Sequence, residues 1–301
     1  MNPITTASSR GNRQMTSTAE AALPTDDDVA FYRQHGYWVS PPLVAPEVLD
    51  VAERGMERLY AHDVDHVLST DDTAPVPDGR AKTYTHWGWT PEHGNVMRKN
   101  DYSTLRVDEL AQLSRVRAIA ACASRLSGAS RLRLWHDQLL YKPVDAEGTA
   151  GNVSWHTDRY YWMTCSSQDM LTAWIPLADV RTSDGAMSVV DGSHRWSDEV
   201  GVPWERAPFS VIEEVLAARQ AKLVPIVLDR GQVSFHHCKT IHGSGPNLSR
   251  SPRRSLVLHF QPEDNHFVEG GYRHPNDDLV RRTPDGRPDY ADPAICPVLF
   301  P

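Results

Sequence analysis

The stretch that decides the fold and the site of this chain reads Trp155-His156-Thr157-Asp158. His156 and Asp158 are two residues apart, so on an extended strand both side chains point to one face and can reach one metal ion. A third donor, His242, follows 84 residues after Asp158 in Ile241-His242-Gly243-Ser244-Gly245-Pro246-Asn247. Two imidazoles and one carboxylate suit mononuclear non-haem Fe(II) and leave three octahedral positions open, whereas structural zinc needs four protein ligands, usually including Cys. The two segments together predict an iron site on His156, Asp158 and His242.

A basic residue downstream suits a carboxylate ligand. Arg253 stands eleven residues after His242, in Pro252-Arg253-Arg254-Ser255. A planar guanidinium can hold a carboxylate through two parallel hydrogen bonds, and the Ser244 hydroxyl can add a third. The pattern therefore favours a dicarboxylate cosubstrate gripped at its far end. The alternative is that Arg253 and Arg254 form a solvated pair at a turn.

The second half of the chain has the periodicity of short β-strands. A strand over 131–141 is expected to place Leu132, Leu134 and His136 on one face, and further strands are expected near 170–177, 187–190, 222–228, 232–237 and 254–260. Short strands separated by turns, without alternating helices, favour an antiparallel double-sheet jelly roll over a parallel α/β sheet. The predicted fold class is mainly β with flanking helices, around a double-stranded β-helix (jelly roll, cupin-like) core.

Amphipathic helices precede the strands. Thr25 or Asp26 begins a first helix that Gly36 ends, a second starts near Pro46, and a third covers 104–127. Residues 1–24 are polar and predict a disordered N-terminal tail. Residues 25–301 are expected to form a single domain: a helical front (25–128), a jelly-roll core (131–262) and a C-terminal tail (263–301). The apolar end of that tail predicts docking onto the body, as part of an active-site lid.

Composition excludes several classes of protein. The net charge of -8 argues against a nucleic-acid surface, which needs a basic face, and no apolar run approaches the length of a membrane span. The four cysteines have no pairing pattern and predict reduced thiols in a cytoplasmic protein. The expected partner is a small-molecule substrate, and the oligomeric state is left open.

The motifs taken in order resemble one enzyme family. They are His156-Thr157-Asp158, Trp174 within Thr172-Ala173-Trp174-Ile175-Pro176-Leu177, the run Gly185-Ala186-Met187-Ser188-Val189-Val190-Asp191-Gly192-Ser193-His194, then Gly231-Gln232-Val233-Ser234-Phe235-His236, His242-Gly243-Ser244 and Arg253. Across about residues 26–262 the chain resembles the phytanoyl-CoA dioxygenase family of Fe(II)/2-oxoglutarate-dependent oxygenases.

The resemblance implies a role for each matching residue. His156, Asp158 and His242 would be the iron ligands, and Arg253 and Ser244 would hold the distal carboxylate of 2-oxoglutarate. Trp174 would lie beside the cosubstrate, and the strand that carries Gln138 and Tyr141 would border cosubstrate and substrate. The third reactant would be O2.

Two aromatic segments are candidates for the substrate pocket. Trp87 and Trp89 lie in a loop-like stretch over 68–100, and Arg159, Tyr160, Tyr161 and Trp162 directly follow Asp158. Each set can either line a substrate pocket or pack against the sheets, and the sequence does not separate these roles.

The resemblance also limits the reaction. It implies hydroxylation of an unactivated C–H bond of a small molecule, and the intact Asp158 argues against halogenation. The aromatic loop and the predicted lid favour a role in natural-product biosynthesis. Desaturation, epoxidation or cyclisation would use the same ligands, and an acyl-CoA substrate is less favoured because no basic cluster is evident. A cosubstrate-free cupin-type metal enzyme and a catalytically silent binding protein are the alternatives from other classes. A cosubstrate-free enzyme would have no carboxylate for Arg253 to bind. A silent binding protein should have lost a metal ligand or the carboxylate-binding arginine, and the sequence has kept all of them.

Overall fold

The computed structural model describes residues 23–68, 83–84, 94–145, 151–196, 209–271 and 273–301. The helices in these ranges are α1 (Asp26–His35), α2 (Pro46–Tyr60), α3 (Asp108–Ser114), α4 (Arg117–Ser127), α5 (Asp158–Tyr161), α6 (Val211–Arg219) and α7 (Asn276–Leu279). The strands are β1 (Tyr37–Val39), β2 (Thr83–Tyr84), β3 (Met97–Asp101), β4 (Leu132–Lys142), β5 (Val153–His156), β6 (Leu171–Pro176), β7 (Ser188–Val190), β8 (Leu223–Pro225), β9 (Ser234–His237), β10 (His242–Ser244), β11 (Arg253–Pro262) and β12 (Val298–Phe300). Trp87, Trp89 and residues 1–22 lie outside the described ranges, so the predictions for them stay predictions.

The first helix begins and ends as its capping residues predict, and the second begins at the predicted proline. The Thr25 hydroxyl accepts a hydrogen bond from the Asp28 amide at 3.2 Å, and Gly36 ends α1 with a φ of 80°. Pro46 opens α2, which buries an apolar stripe that includes Leu49 and Met56. These helices form the front of the molecule and pack on the larger sheet through one continuous core.

The third predicted helix is wrong as a single element. The segment contains a short 3₁₀ turn (Ser103–Leu105), then α3 and α4, with a break at Arg115 and Val116. Val116 has extended backbone angles, φ -62° and ψ 104°, which end one helix axis and start another. The break lets α3 pack on α2 while α4 packs on α1, so the two halves bury their apolar stripes against different partners.

The strands form two sheets with mainly antiparallel pairing. The larger sheet has the order β1-β9-β6-β11-β4-β3-β2, with β12 added beside β4, and the smaller has the order β5-β10-β7-β8. Among the described strands only the short β2–β3 pair is parallel. This agrees with a fold dominated by antiparallel sheets with flanking helices, and it rules out a parallel α/β sheet.

A β-bulge overturns the predicted facing of one strand. The register pairs His259 with His136 but Phe260 with Leu134, so Trp135 is an extra residue on β4. Leu134 therefore faces the core under the helices, whereas His136 faces the opposite side and stacks on His259, with ring centroids 5.5 Å apart. The prediction that Leu132, Leu134 and His136 share one face is therefore wrong for His136.

The C-terminal segment is docked on the body. β12 pairs with β4, and Tyr290, Ile295 and Cys296 join a buried cluster with Trp135 and Trp162. The described residues of 263–301 do not line the cavity beside the predicted metal ligands, so the lid role stays a prediction. All four cysteines are free and buried. Within the described ranges, no helix is both long enough and apolar enough to cross a membrane.

Candidate metal site and cosubstrate pocket

Two paired strands bring the predicted metal ligands together. His156 ends β5 and lies directly opposite His242, which begins β10. The strand stops before Asp158, which is the first residue of α5, but Thr157 keeps an extended backbone with φ -114° and ψ 140°. Because that residue is extended, Asp158 returns to the side of His156, as the two-residue spacing predicts.

The three side chains converge on one point. Asp158 Oδ1 lies 3.9 Å from His156 Nε2 and 3.7 Å from His242 Nε2. One ligand atom from each of the three residues lies within 4.8 Å of the other two, as a shared ion requires, and within the described ranges no other set of three His, Cys, Asp or Glu meets that condition.

Both histidines are oriented as neutral ligands. His156 Nδ1 donates to the Ser154 carbonyl at 2.7 Å, and His242 Nδ1 donates to the Thr240 carbonyl at 3.0 Å. These bonds assign the proton to Nδ1 and leave each Nε2 lone pair turned towards Asp158. Burial lowers the pKa of His156 and lowers that of His242 well below its usual value, so both rings are neutral at physiological pH.

Asp158 stays a carboxylate although it is buried. Burial by itself would raise its pKa, but the imidazoles of His242 and His236 around it outweigh that effect and hold the pKa well below its ordinary value. The site therefore combines one negative charge with two neutral nitrogen donors, which is the donor set that suits a divalent iron ion.

A cavity of about 310 Å³ opens beside these ligands and contains the predicted cosubstrate residues. Arg253, Ser244, Trp174 and Gln138 all line it. The Arg253 guanidinium lies over the Trp174 ring at 5.2 Å, and its Nη1 donates to the Gly185 carbonyl. Burial lowers the pKa of Arg253 to about 10, so the side chain remains charged at neutral pH.

Besides His236 Nδ1, two buried polar atoms on residues that line this cavity have no hydrogen-bond partner among the described residues. They are Arg253 Nε and Ser244 Oγ, each on a side chain that is at most 6% exposed. A buried donor without a partner costs about 1–3 kcal/mol, so it is usually completed by a ligand or by water. Both atoms can donate a hydrogen bond to a carboxylate.

Three predicted substrate residues do not reach the cavity. Tyr141 lies on the other face of β4, where its hydroxyl donates to Asn95 at 2.8 Å. The Arg159 guanidinium donates to backbone carbonyls of its own loop, including that of Cys165 at 3.2 Å. Tyr160 is also absent from the lining, whereas its neighbour Tyr161 lines the cavity, with its ring 5.9 Å from that of His156.

The sequence reading missed several polar residues that line the cavity. They are Lys99, Thr172, His236 and His259. Thr172 and His236 lie inside motifs that carried the family resemblance, but nothing in those motifs showed which face each residue takes. Lys99 has no carboxylate within ion-pair distance among the described residues, so its charge is available to an anionic oxygen of a ligand.

The fold and the cluster of His156, Asp158 and His242 fit the class of non-haem iron oxygenases that use an oxo-acid cosubstrate. The sequence profile of the phytanoyl-CoA dioxygenase (PhyH) family matches residues 32–255, and the chain belongs to this family. It is therefore an oxygenase dependent on iron and 2-oxoglutarate, and the donor set of His156, Asp158 and His242 fits that metal.

Characterised relatives are similar to the chain over different lengths. The human peroxisomal phytanoyl-CoA dioxygenase is 26% identical over 137 residues, covering 44% of this chain and 40% of the human protein. The bovine protein of the same name is 22% identical over 268 residues, covering 85% of this chain and 74% of its own length. The chain thus spans less than half of the human relative and about three quarters of the bovine one.

Solved structures show the same fold at low sequence identity. The alpha ketoglutarate dependent carbocyclase SnoK from nogalamycin biosynthesis has a TM-score of 0.68 at 23% identity, with 93% of this chain and 97% of that chain covered. The epimerase SnoN from the same biosynthesis has a TM-score of 0.65 at 24% identity, with 94% and 99% covered.

Proposed function

We propose that this protein hydroxylates an unactivated C–H bond of a small molecule in natural-product biosynthesis. In this proposal His156, Asp158 and His242 hold Fe(II), and Arg253, Ser244, Trp174 and Gln138 form the 2-oxoglutarate site. The observation that carries it is the pair of unpartnered buried atoms, Arg253 Nε and Ser244 Oγ, in the cavity that also holds the three ligands.

The residues that line the cavity would have different roles in binding the cosubstrate and in excluding water. The buried Arg253 guanidinium and the Ser244 hydroxyl would bind the distal carboxylate, and the Trp174 ring would pack against the carbon chain of the cosubstrate. Apolar side chains such as Leu140, Met187 and Val257 line the same cavity and exclude water. Bound iron and 2-oxoglutarate supply the oxidising chemistry with O2, and the protein positions the target carbon.

The substrate class rests on the size of the cavity and on the similar proteins. A cavity of about 310 Å³ lies at the small end of the usual range of ligand sites, and because it would also hold 2-oxoglutarate, the space beside the cosubstrate suits a compact small molecule. SnoK and SnoN, whose names describe a carbocyclase and an epimerase of nogalamycin biosynthesis, share the fold. Hydroxylation is the simplest outcome of the donor set, and ring formation or epimerisation on the same ligands is the alternative that those two names favour.

We also propose that the two sheets form a jelly roll within one domain over 25–301. Strands β4, β6, β9 and β11 belong to the larger sheet, and β5, β7, β8 and β10 belong to the smaller one. The chain thus passes back and forth between two facing sheets over eight consecutive strands, which is the path of a double-stranded β-helix. The helical front, 25–128, and the tail, 263–301, would pack around this core.

An anaerobic difference spectrum tests the proposed site. Fe(II) and then 2-oxoglutarate are added to the metal-free protein, and a visible metal-to-ligand charge-transfer band that requires both is expected. His156→Ala should abolish the band because it removes an iron ligand. Arg253→Ala should leave iron binding intact and raise the concentration of 2-oxoglutarate needed for the band by about 100-fold or more, since a charged hydrogen bond is lost from a buried site.

Arg254→Ala is the matched control. Arg254 is the next residue on β11, but it is partly exposed and lies 3.6 Å from Glu53, away from the cavity. Its replacement should not change the 2-oxoglutarate titration. If the Arg253 and Arg254 variants need the same concentration of 2-oxoglutarate for the band, Arg253 does not bind the distal carboxylate. Iron binding without any band would favour a cosubstrate-free metal enzyme.

A further inference from the structure

The two oxygens of Asp158 have different surroundings. Oδ1 faces the metal-binding nitrogens of His156 and His242, at 3.9 and 3.7 Å. Oδ2 faces the larger sheet, where it lies 2.5 Å from Thr172 Oγ1 and 3.2 Å from His236 Nε2. Only Oδ1 is therefore presented to the position that an ion would share with both histidines.

The donors to Oδ2 belong to a hydrogen-bonded chain with a defined direction. A carboxylate has no proton, so the Thr172 hydroxyl and His236 Nε2 must both donate to it. Since the single proton of Thr172 is used in this way, Thr172 Oγ1 must accept from His259 Nδ1, which lies 2.8 Å away. The direction is therefore His259 to Thr172 to Asp158.

The pairing of the sheet places these three donors side by side. Thr172 on β6 is the direct cross-strand partner of His236 on β9 and also of His259 on β11. We call these three residues the polar row. Each is at most 4% exposed, and the His259 ring is held between the Trp162 ring at 4.9 Å and the His136 ring at 5.5 Å. Burial and the ring packing around His259 leave these side chains little room to rotate.

We propose that the polar row is a positioning device that keeps Asp158 a one-oxygen ligand of the iron. A carboxylate free to rotate can bind iron through both oxygens and thereby occupy a further coordination position. With Oδ2 engaged by two donors, only Oδ1 would be free to bind the ion, and the remaining positions would be left to 2-oxoglutarate and O2. This inference rests on the proposed function, because it takes His156, Asp158 and His242 as the iron ligands.

The test compares two replacements of Thr172. Thr172→Val keeps the shape of the side chain and removes the hydroxyl, whereas Thr172→Ser keeps the hydroxyl. Binding of Co(II) alone, followed by its visible absorbance, is expected to be about 10- to 100-fold weaker in Thr172→Val and close to wild type in Thr172→Ser, as for other residues that orient a metal ligand. The charge-transfer band of Fe(II) and 2-oxoglutarate should weaken or shift only in the valine variant.

A control and a second pair of variants keep the test decisive. Ser255→Ala removes a buried hydroxyl on the neighbouring strand β11, one with no hydrogen-bond partner among the described residues, and should change neither measurement. If Thr172→Val fails to fold, the same Co(II) titration is made on His259→Asn and His259→Phe. The asparagine amide can replace Nδ1 as the donor to Thr172, so it should retain Co(II) affinity that the phenylalanine variant loses.

The outcomes separate this inference from the proposed function. No charge-transfer band in the wild-type protein would overturn the proposed function itself. A normal band in the wild type, together with equal Co(II) affinity and an unchanged band in Thr172→Val, would overturn only the role of the polar row. Equal affinities of the two His259 variants would do the same where Thr172→Val cannot be measured.

Discussion

At the scale of single residues, Lys142 should make the stability of the fold depend on pH. Its side chain is fully buried at the end of β4, and its amino group donates to the carbonyls of Gly151 and Gly245, each at 2.6 Å. Burial, together with the nearby charge of Arg253, lowers its pKa from 10.5 to about 6. The Ser244 carbonyl lies further from the amino group, at 3.5 Å.

The sign of the pH effect follows from that lowered pKa. Between pH 6 and 10.5 the amine is neutral in the folded chain and protonated in the unfolded chain, so unfolding takes up a proton and stability rises with pH. The slope from one such group is at most about 1.4 kcal/mol per pH unit. Lys142→Met removes the titrating group, so the stability of the wild type relative to this variant should rise from pH 7 to pH 8.5.

Urea unfolding of both proteins at these two pH values provides the measurement. Lys239→Met serves as the control because Lys239 is not among the buried residues, and its replacement should leave the pH slope unchanged. A difference between wild type and Lys142→Met that does not vary with pH would show that Lys142 is protonated in the folded protein.

At the scale of elements, Gly243 keeps the two histidine strands at their spacing. It lies on β10 between His242 and Ser244, and a methyl group added there would lie 2.8 Å from Trp155 Cε3 and 3.0 Å from the Val153 carbonyl. Trp155 cannot move away easily, since it is buried and its indole donates to the Phe209 carbonyl at 2.8 Å. An added side chain must therefore push β10 away from β5.

Gly243→Ala should destabilise the protein by about 1–3 kcal/mol, which is the usual cost of overpacking. It should also weaken Co(II) binding, because His242 moves relative to His156. Gly245→Ala is the control, since a methyl group there would meet only Phe209, at 4.0 Å. Thermal unfolding and Co(II) titration of both variants measure the effect, and wild-type values for Gly243→Ala would show that the two strands can separate without loss.

The short helix α5 shows which site residues could be predicted from the sequence and which could not. The pair His156 and Asp158 was predictable because a two-residue spacing is a local signal, whereas His242, 84 residues further on, was predicted from the order of the motifs. Tyr160 was predicted to lie near the substrate, yet Tyr161 lines the cavity. The chain turns helical at Asp158, so the side chain three positions later, and not the one two positions later, returns to the side of the ligand.

The same limit applies to the polar row and to the bulge at Trp135. Thr172, His236 and His259 come from three separate strands, and they meet only because the register aligns them. Register between distant strands is set by the whole sheet, so no local pattern reports it. The bulge has the same character, since it is defined by how β4 pairs with β11 and not by the residue Trp135 itself.

At the scale of the whole molecule, the C-terminal tail is packed into the body through Asn276. This residue is fully buried, its Nδ2 donates to the Trp135 carbonyl at 2.5 Å, and its Oδ1 accepts from the Tyr102 hydroxyl at 2.6 Å. One side chain of the tail thus satisfies the bulged residue of β4 and an aromatic residue that directly follows β3. The tail therefore completes the hydrogen bonding of the larger sheet.

Asn276→Ala should lower the free energy of unfolding by about 2–4 kcal/mol, because it leaves two buried polar groups without partners. Asp278→Ala, on the same short helix, removes an exposed carboxylate that pairs with Arg273 at 2.6 Å and should cost no more than about 0.5 kcal/mol. Urea unfolding measures the free energy of unfolding of both variants, and the difference between them distinguishes a structural tail from a movable lid. A lid that opens freely would make both replacements equally mild and would alter only substrate binding, whereas a large loss confined to Asn276→Ala means that this part of the tail stays in place while the enzyme works.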